Sequence, residues 1–241
     1  MEQWYTGRVT RIVDETYNTR RFWIQVPEKD PFDFKPGQFV TLDLPIHEKK
    51  NKRWRSYSIA SAPDGTATIE LVIVLLEGGA GTTYLFNEVR EGSELTLRGP
   101  LGLFTLPEPM EKELFLICTG TGIAPFRSMA HYIKAHGTPH APIHLIYGSR
   151  YEKDLLYAAE MRELQAQLPD FNYIPTLSRE DAVGWTGRKG YVHQIYEELL
   201  ANDRRPAHFF LCGWKAMIDE AKQRILAMGY DRHDIHLELY G

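Results

Sequence analysis

The chain predicts two domains, an antiparallel β-barrel followed by an α/β doubly wound parallel sheet. Three observations carry this expectation. Up to about residue 105 the pattern is one of short β-type runs split by turn residues. Beyond Pro107 and Pro109 the apolar period changes, and strand-like runs alternate with helical ones. Gly120-Thr121-Gly122-Ile123-Ala124-Pro125 then joins a buried-strand pattern directly to an amphipathic helix, as in nucleotide-binding sheets. The boundary falls near residue 108, giving domains 1–108 and 109–241 with no long linker and no internal repeat.

In the first half the strand-like runs are 7–13, 19–26, 38–44, 55–60, 66–76 and 94–97. The run 21–26 alternates partly, whereas 69–76 is almost continuously apolar, as expected of a strand covered on both faces. One short helix is expected over 82–89. In the second half, 114–118, 143–148, 171–177 and 208–212 read as strands. Ile123, Phe126, Met129, Ala130 and Ile133 mark one helix face, and Trp214, Met217, Ile218, Ala221 and Ile225 another, with Gly229 at its C-terminal cap.

Composition narrows the function classes. With 241 residues, 43% hydrophobic and 25% charged, the chain reads as an ordinary globular protein. Its net charge of −4 argues against generic polyanion binding, so no nucleic-acid partner is expected. Cys118 and Cys212 each lie in an apolar run, and two cysteines cannot hold an iron–sulfur cluster, which takes about four. The start lacks a basic region followed by an apolar stretch, and the run 71–76 is too short to span a bilayer. No membrane association and a cytoplasmic location are therefore expected.

The first candidate site is Arg55-Ser56-Tyr57-Ser58, which puts a fixed cation, an aromatic face and hydroxyls on one short strand. These suit a flavin adenine dinucleotide, which needs a cation for its pyrophosphate, a flat surface for its rings and a hydrogen bond near the reactive ring nitrogen. Strict alternation sends Arg55 and Tyr57 to one face and Ser56 and Ser58 to the other. Gly79-Ala80-Gly81-Thr82 enters the expected helix, whose N–H groups and dipole favour phosphate.

The second candidate site is the loop from Gly120 to Pro125. Glycine permits the tight turn and close approach of a pyrophosphate, the helix N-terminus supplies positive potential, and Pro125 fits a first helical turn. The spacing is G-x-G-x-x-P, with Pro125 where a third glycine is usual. Ser149-Arg150 and Ser178-Arg179 follow two strand ends, and Arg188 lies in the next loop. Arginine suits a 2′-phosphate, so NADPH is favoured over NADH, although Glu180 and Asp181 lie close by.

These motifs resemble those of the ferredoxin–NADP(+) reductases, in their stand-alone two-domain form, over nearly the whole chain. Residues 55–58 are similar to the family's R-x-Y-S flavin motif, 79–82 to its G-x-x-S/T motif, 120–125 to its pyrophosphate loop and 178–180 to its 2′-phosphate motif. Cys212-Gly213 followed by Met217 resembles the C-G-x-x-x-M segment beside the nicotinamide. The resemblance implies that Tyr57 stacks on the isoalloxazine, that Ser58 bonds near flavin N5, and that Val72, Ile73 and Val74 give backbone contacts along the ribityl chain. It also places Thr121 near both cofactors. Glu238-Leu239-Tyr240 is similar to the E-x-Y terminus of plant-type members, where the tyrosine covers the flavin and the glutamate assists catalysis; here Gly241 follows.

The expected activity is hydride transfer between NADPH and FAD, with single electrons passing to or from ferredoxin or flavodoxin. Ser58, Cys212 and Glu238 are the candidate catalytic residues. Lys49, Lys50, Lys52 and Arg53 form a basic cluster on a net acidic chain, a candidate docking patch for an acidic electron carrier. His136, His140 and His144 recur every four residues, but Gly137, Pro139 and Pro142 forbid a continuous helix, so no metal site is expected. Two other readings stay open, the reductase component of an oxygenase and a non-catalytic flavin and nucleotide sensor.

Overall fold

The computed structural model describes residues 3–180, 184–201 and 203–240, the side chain of Tyr240 excepted. Its contacts divide into two units, Met1–Thr105 with Arg127–Tyr132, and Leu106–Phe126 with Ile133–Gly241.

The first unit is built on six strands: β1 (Tyr5–Thr16), β2 (Thr19–Gln25), β3 (Phe39–Asp43), β4 (Trp54–Ser58), β5 (Thr68–Val74) and β6 (Glu94–Leu101). They form one antiparallel sheet in the order β4-β3-β6-β1-β2-β5. β1 and β2 meet through a two-residue turn in which Asn18 Oδ1 accepts from the hydroxyls of Thr16 (3.1 Å) and Thr19 (3.2 Å), fixing the register. The ends of the sheet are drawn together by an antiparallel bridge between Ile59 and Leu71 and by Ala60 N–H donating to Glu70 O at 2.8 Å. This closes the strands around a core that includes Val9, Phe22, Ile24, Leu42, Leu71 and Leu97.

The short helix α1 (Ala80–Asn87) begins two residues earlier than the apolar pattern suggests. Thr82 explains the shift: its Oγ1 accepts from Leu76 N–H at 3.1 Å and donates to Gly79 O at 3.1 Å, folding the Gly-rich turn back onto the helix start. Glu70, buried on β5, is held by Arg21 of the neighbouring strand at 2.6 Å, so the charge is not left uncompensated in the interior.

From Leu106 onward the chain alternates β7 (Glu113–Thr119), α2 (Ile123–His136), β8 (Ile143–Ser149), α3 (Ala158–Gln167), β9 (Phe171–Leu177), β10 (Arg188–Lys189), α4 (Val192–Leu200), β11 (Ala207–Trp214), α5 (Lys215–Ala227) and β12 (Ile235–Tyr240). The sheet is parallel throughout, in the order β10-β9-β8-β7-β11-β12. β7 and β11 are interior strands, and their apolar runs are covered on both faces. Phe115 and Ile117 of β7 and Phe209 and Leu211 of β11 pack with Val192 and Ile195 of α4 and with Ile218 and Ala221 of α5. The five apolar residues expected on the face of α2 are all fully buried, and Gly137, with φ +56°, ends that helix in the left-handed conformation. From β7 the strand order runs outward to β8 and β9 on one side and to β11 and β12 on the other. The sheet therefore has its topological switch point between the C-terminal ends of β7 and β11.

Candidate functional site

β4 carries the first set of residues. It pairs with β3 so that Leu42 faces Arg55, Thr41 faces Ser56 and Val40 faces Tyr57. Ser56 is exposed and shares a 3.0 Å hydrogen bond with Thr41 Oγ1, while Ser58 is buried. Tyr57 packs against the barrel core, and burial pushes its phenol up to about 12, only partly offset by the nearby Arg55 cation. The ring therefore stays a neutral phenol across the physiological range.

Arg55 is anchored where an anion would need it. Its Nη1 donates to Trp54 O at 2.8 Å and Lys52 O at 3.1 Å, and its Cγ and Nε lie 3.0 and 3.1 Å from where a Cβ on Gly81 would stand. The guanidinium thus sits against the first turn of α1, where the N–H groups of Ala80, Gly81 and Thr82 lack intrahelical partners. The fixed cation and the helix start form one cationic corner that suits a pyrophosphate. Val72, Ile73 and Val74 pair with Arg21, Arg20 and Thr19 of β2, and among the described residues no strand pairs their outer edge. Their backbone N–H and C=O groups on that side are available to a ligand.

In the second unit the loop after β7 is a 3-10 turn, Gly120–Gly122, leading into α2 with Pro125 in its first turn. Side chains are excluded here by contact. A Cβ on Gly122 would stand 2.4 Å from Cys212 O, one on Gly213 2.6 Å from Thr119 Oγ1, and one on Gly148 2.8 Å from Val192. The ends of β7, β8 and β11 therefore form a bare cradle at the switch point, beside the start of α2. Thr121 is half-buried within the turn.

The serine–arginine pairs lie side by side. Ser178 N–H donates to Ser149 O at 3.0 Å and Arg179 N–H to Arg150 O at 3.0 Å, and both arginines are exposed. Arg188 lies on β10 opposite Thr176, and its guanidinium pairs with Glu198 of α4. The carboxylate of Glu180 accepts from Glu152 N–H at 2.9 Å, while Asp181 lies outside the described residues.

Cys212 is fully buried on β11, level with Cys118 on β7 and with Glu238 on β12. Burial pushes the Cys118 thiol well up, so it is not a thiolate. The Tyr240 side chain and Gly241 lie outside the described residues. His144 stacks on Phe115 and pairs with Glu113 at 3.2 Å; burial lowers its pKa despite that carboxylate. Among the described residues no three His, Cys, Asp or Glu side chains converge as metal ligands.

An antiparallel barrel followed by a wound parallel sheet with a bare switch point is the architecture of a FAD- and NAD(P)-binding oxidoreductase. The comparisons agree half by half. Residues 6–106 match the oxidoreductase FAD-binding domain and residues 116–223 the oxidoreductase NAD-binding domain. The chain is 36% identical over 215 residues to ferredoxin–NADP reductase B of Sorangium cellulosum, covering 87% of this chain and 86% of that one. It is 30% identical over 247 residues to the glycine betaine monooxygenase reductase subunit of Pseudomonas aeruginosa, but spans only 66% of that protein's length. Its fold superposes on a ferredoxin NADP+ reductase from Neisseria gonorrhoeae solved with bound FAD and NADP, with TM-score 0.82, 26% identity and 99% of each chain covered. The chain belongs to the ferredoxin–NADP reductase family.

Proposed function

We propose that the protein is an NADPH-dependent FAD reductase that exchanges single electrons with a ferredoxin or flavodoxin, residues 1–108 holding FAD and 109–241 holding NADP(H). The observation that carries this reading is the seating of Arg55 against the start of α1, a cation fixed by two backbone carbonyls beside free helix N–H groups. The glycine cradle at the end of β7 and the 86% coverage of the Sorangium reductase support it.

Bound FAD supplies the hydride acceptor and the ability to pass electrons one at a time. Arg55 neutralises its pyrophosphate, Tyr57 presents a neutral aromatic face, and the open edge of Val72–Val74 gives backbone hydrogen bonds. Ser58 donates a hydrogen bond at the reacting end of the flavin. Gly120, Gly122 and Gly213 let the nucleotide pyrophosphate approach the backbone, and the exposed Arg150 and Arg179 with Ser149 and Ser178 receive the 2′-phosphate. Cys212, Glu238 and Tyr240 are assigned to the nicotinamide end. The chain's contribution is to bind and orient each reactant in its own unit, with the cofactors carrying the chemistry.

Lys49, Lys50 and Lys52 are exposed around a 3-10 turn and form no ion pair among the described residues, whereas Arg53 is engaged by Asp43 at 2.7 Å. The three lysines suit docking of an acidic electron carrier. A second reading, reductase component of an oxygenase system, is favoured by the monooxygenase-reductase relative. The two cysteines of these 241 residues cannot hold an iron–sulfur cluster, so in that role the electrons would pass to a carrier outside them.

The test is anaerobic mixing of the purified yellow protein with NADPH or NADH, followed by ferredoxin. Rapid bleaching by NADPH, then turnover that falls with salt and loses that dependence on neutralising the lysines, is expected. A colourless protein that takes up no FAD overturns the reading, and bleaching without turnover on any acceptor overturns its catalytic part.

A further inference from the structure

Trp214 closes β11 at the switch point; the apolar pattern expected it on the buried face of α5, but it is the N-cap of that helix and does not share the burial of Met217, Ile218, Ala221 and Ile225. Large aromatic side chains are ordinarily mostly buried, yet Trp214 is 56% exposed. It is held in place by its backbone: its N–H reaches Thr119 Oγ1 at 3.4 Å, and as N-cap it opens α5. Its indole Nε1 lies 3.7 Å from where a Cβ on Gly120 would stand, so the donor overlooks the first residue of the glycine turn. Among the described residues no protein group accepts from this N–H.

The neighbourhood is built for an anion. α2 and α5 both begin here, the one after β7 and the other after β11, so the positive ends of two helices flank the same crevice. The indole N–H is a donor with no acceptor beside it, which suits a phosphate oxygen. Its ring can cover a ligand while its N–H stays wet, the division of labour that favours tryptophan at binding surfaces.

We infer that Trp214 contacts the bound dinucleotide directly, its ring walling the β11 side of the crevice and its N–H donating to a pyrophosphate oxygen above Gly120–Gly122. This rests on the NADP reading of that loop and adds to it a contact that the glycine motif does not contain.

The test is calorimetric titration of the FAD-loaded wild type, Trp214→Phe and Trp214→Ala with NADP+ and, separately, with 2′-AMP, which carries the 2′-phosphate but no pyrophosphate. Phenylalanine keeps a ring and removes the donor; alanine removes both. Trp214→Phe is expected to weaken NADP+ binding on the order of tenfold, the loss of one hydrogen bond to a charged group, and Trp214→Ala further. The 2′-AMP affinity is expected to be equal in all three. NADP+ affinities that match across the three proteins overturn the inference. A parallel loss of 2′-AMP affinity also overturns it, because that outcome reports a general disturbance of the sheet. A wild type that binds neither ligand removes the NADP reading itself, and is thereby told apart from failure of Trp214 alone.

Discussion

Replacing Gly122 with alanine probes the cradle at its tightest point. The new Cβ would lie 2.4 Å from Cys212 O, 2.7 Å from Cys212 C and 3.0 Å from Gly213 Cα. All three are backbone atoms of β11, a strand paired on both sides by β7 and β12, so no side chain can swing aside. Ordinary contact begins at 3.4 Å, so the start of α2 and the end of β11 must separate by about 1 Å. Overpacking of this kind costs about 1–3 kcal/mol, and a backbone obstacle places it in the upper part, about 2–3 kcal/mol. For a chain of this size each kcal/mol moves Tm by about 2–4 °C, so a fall of about 4–12 °C is expected. Circular-dichroism melts read the stability and calorimetry with NADP+ reads the site, which should weaken as the turn is displaced. Gly122 belongs to the second unit, so the yellow colour of the purified protein should persist. A Tm and NADP+ affinity equal to those of the wild type would refute the argument that this glycine is demanded by close approach.

Three further perturbations separate the roles assigned to other residues. Arg55→Gln removes the cation beside α1 and should raise the FAD dissociation constant about 10- to 100-fold, read from the fluorescence of released flavin; unchanged retention would remove Arg55 from the pyrophosphate site. Arg179→Ala should raise KM for NADPH by at least roughly tenfold while barely affecting NADH, and equal effects on both would assign that arginine elsewhere. Alkaline stability should carry the signature of Tyr57, whose phenol rises from 10.0 to about 12 in the folded chain. Above pH 10 the unfolded chain releases this proton while the folded one keeps it, so stability falls as pH rises and levels off above about 12. The full loss from this residue is about 2–3 kcal/mol. Urea midpoints at pH 8 and 11 should therefore drop less for Tyr57→Phe than for the wild type, and equal drops would contradict the burial argument.

Most of the architecture was legible because strong apolar periodicity coincides with real burial. The runs at 114–118 and 208–212 announce strands covered on both faces, and these are the interior strands β7 and β11. The face of α2 could be read residue by residue for the same reason. Weak periodicity hid other elements: α3 buries only Met161 and Leu164, and β10 is two exposed residues recognisable only by their pairing with Thr176 and Leu177. The glycine motifs announce where a backbone must come close, but not against what; the meeting of Gly122 with Cys212 and of Gly81 with Arg55 is a long-range fact. Arginines at strand ends look alike in a sequence, and only tertiary placement shows Arg188 turned to Glu198 while Arg150 and Arg179 remain exposed. Trp214 reads in the sequence as the first residue of the α5 face, and only the fold shows it ending β11 with its ring exposed.

The position of the two thiols bears on durability. Cys118 and Cys212 are neighbours across parallel strands, both sealed from water, and the first is held firmly protonated. Oxidation proceeds through exposed thiolate, so neither sulfur is open to attack while the sheet stays closed. A protein that handles electrons at its cofactors thus keeps its own sulfur chemistry out of the circuit, and damage by oxidants should follow unfolding instead of preceding it.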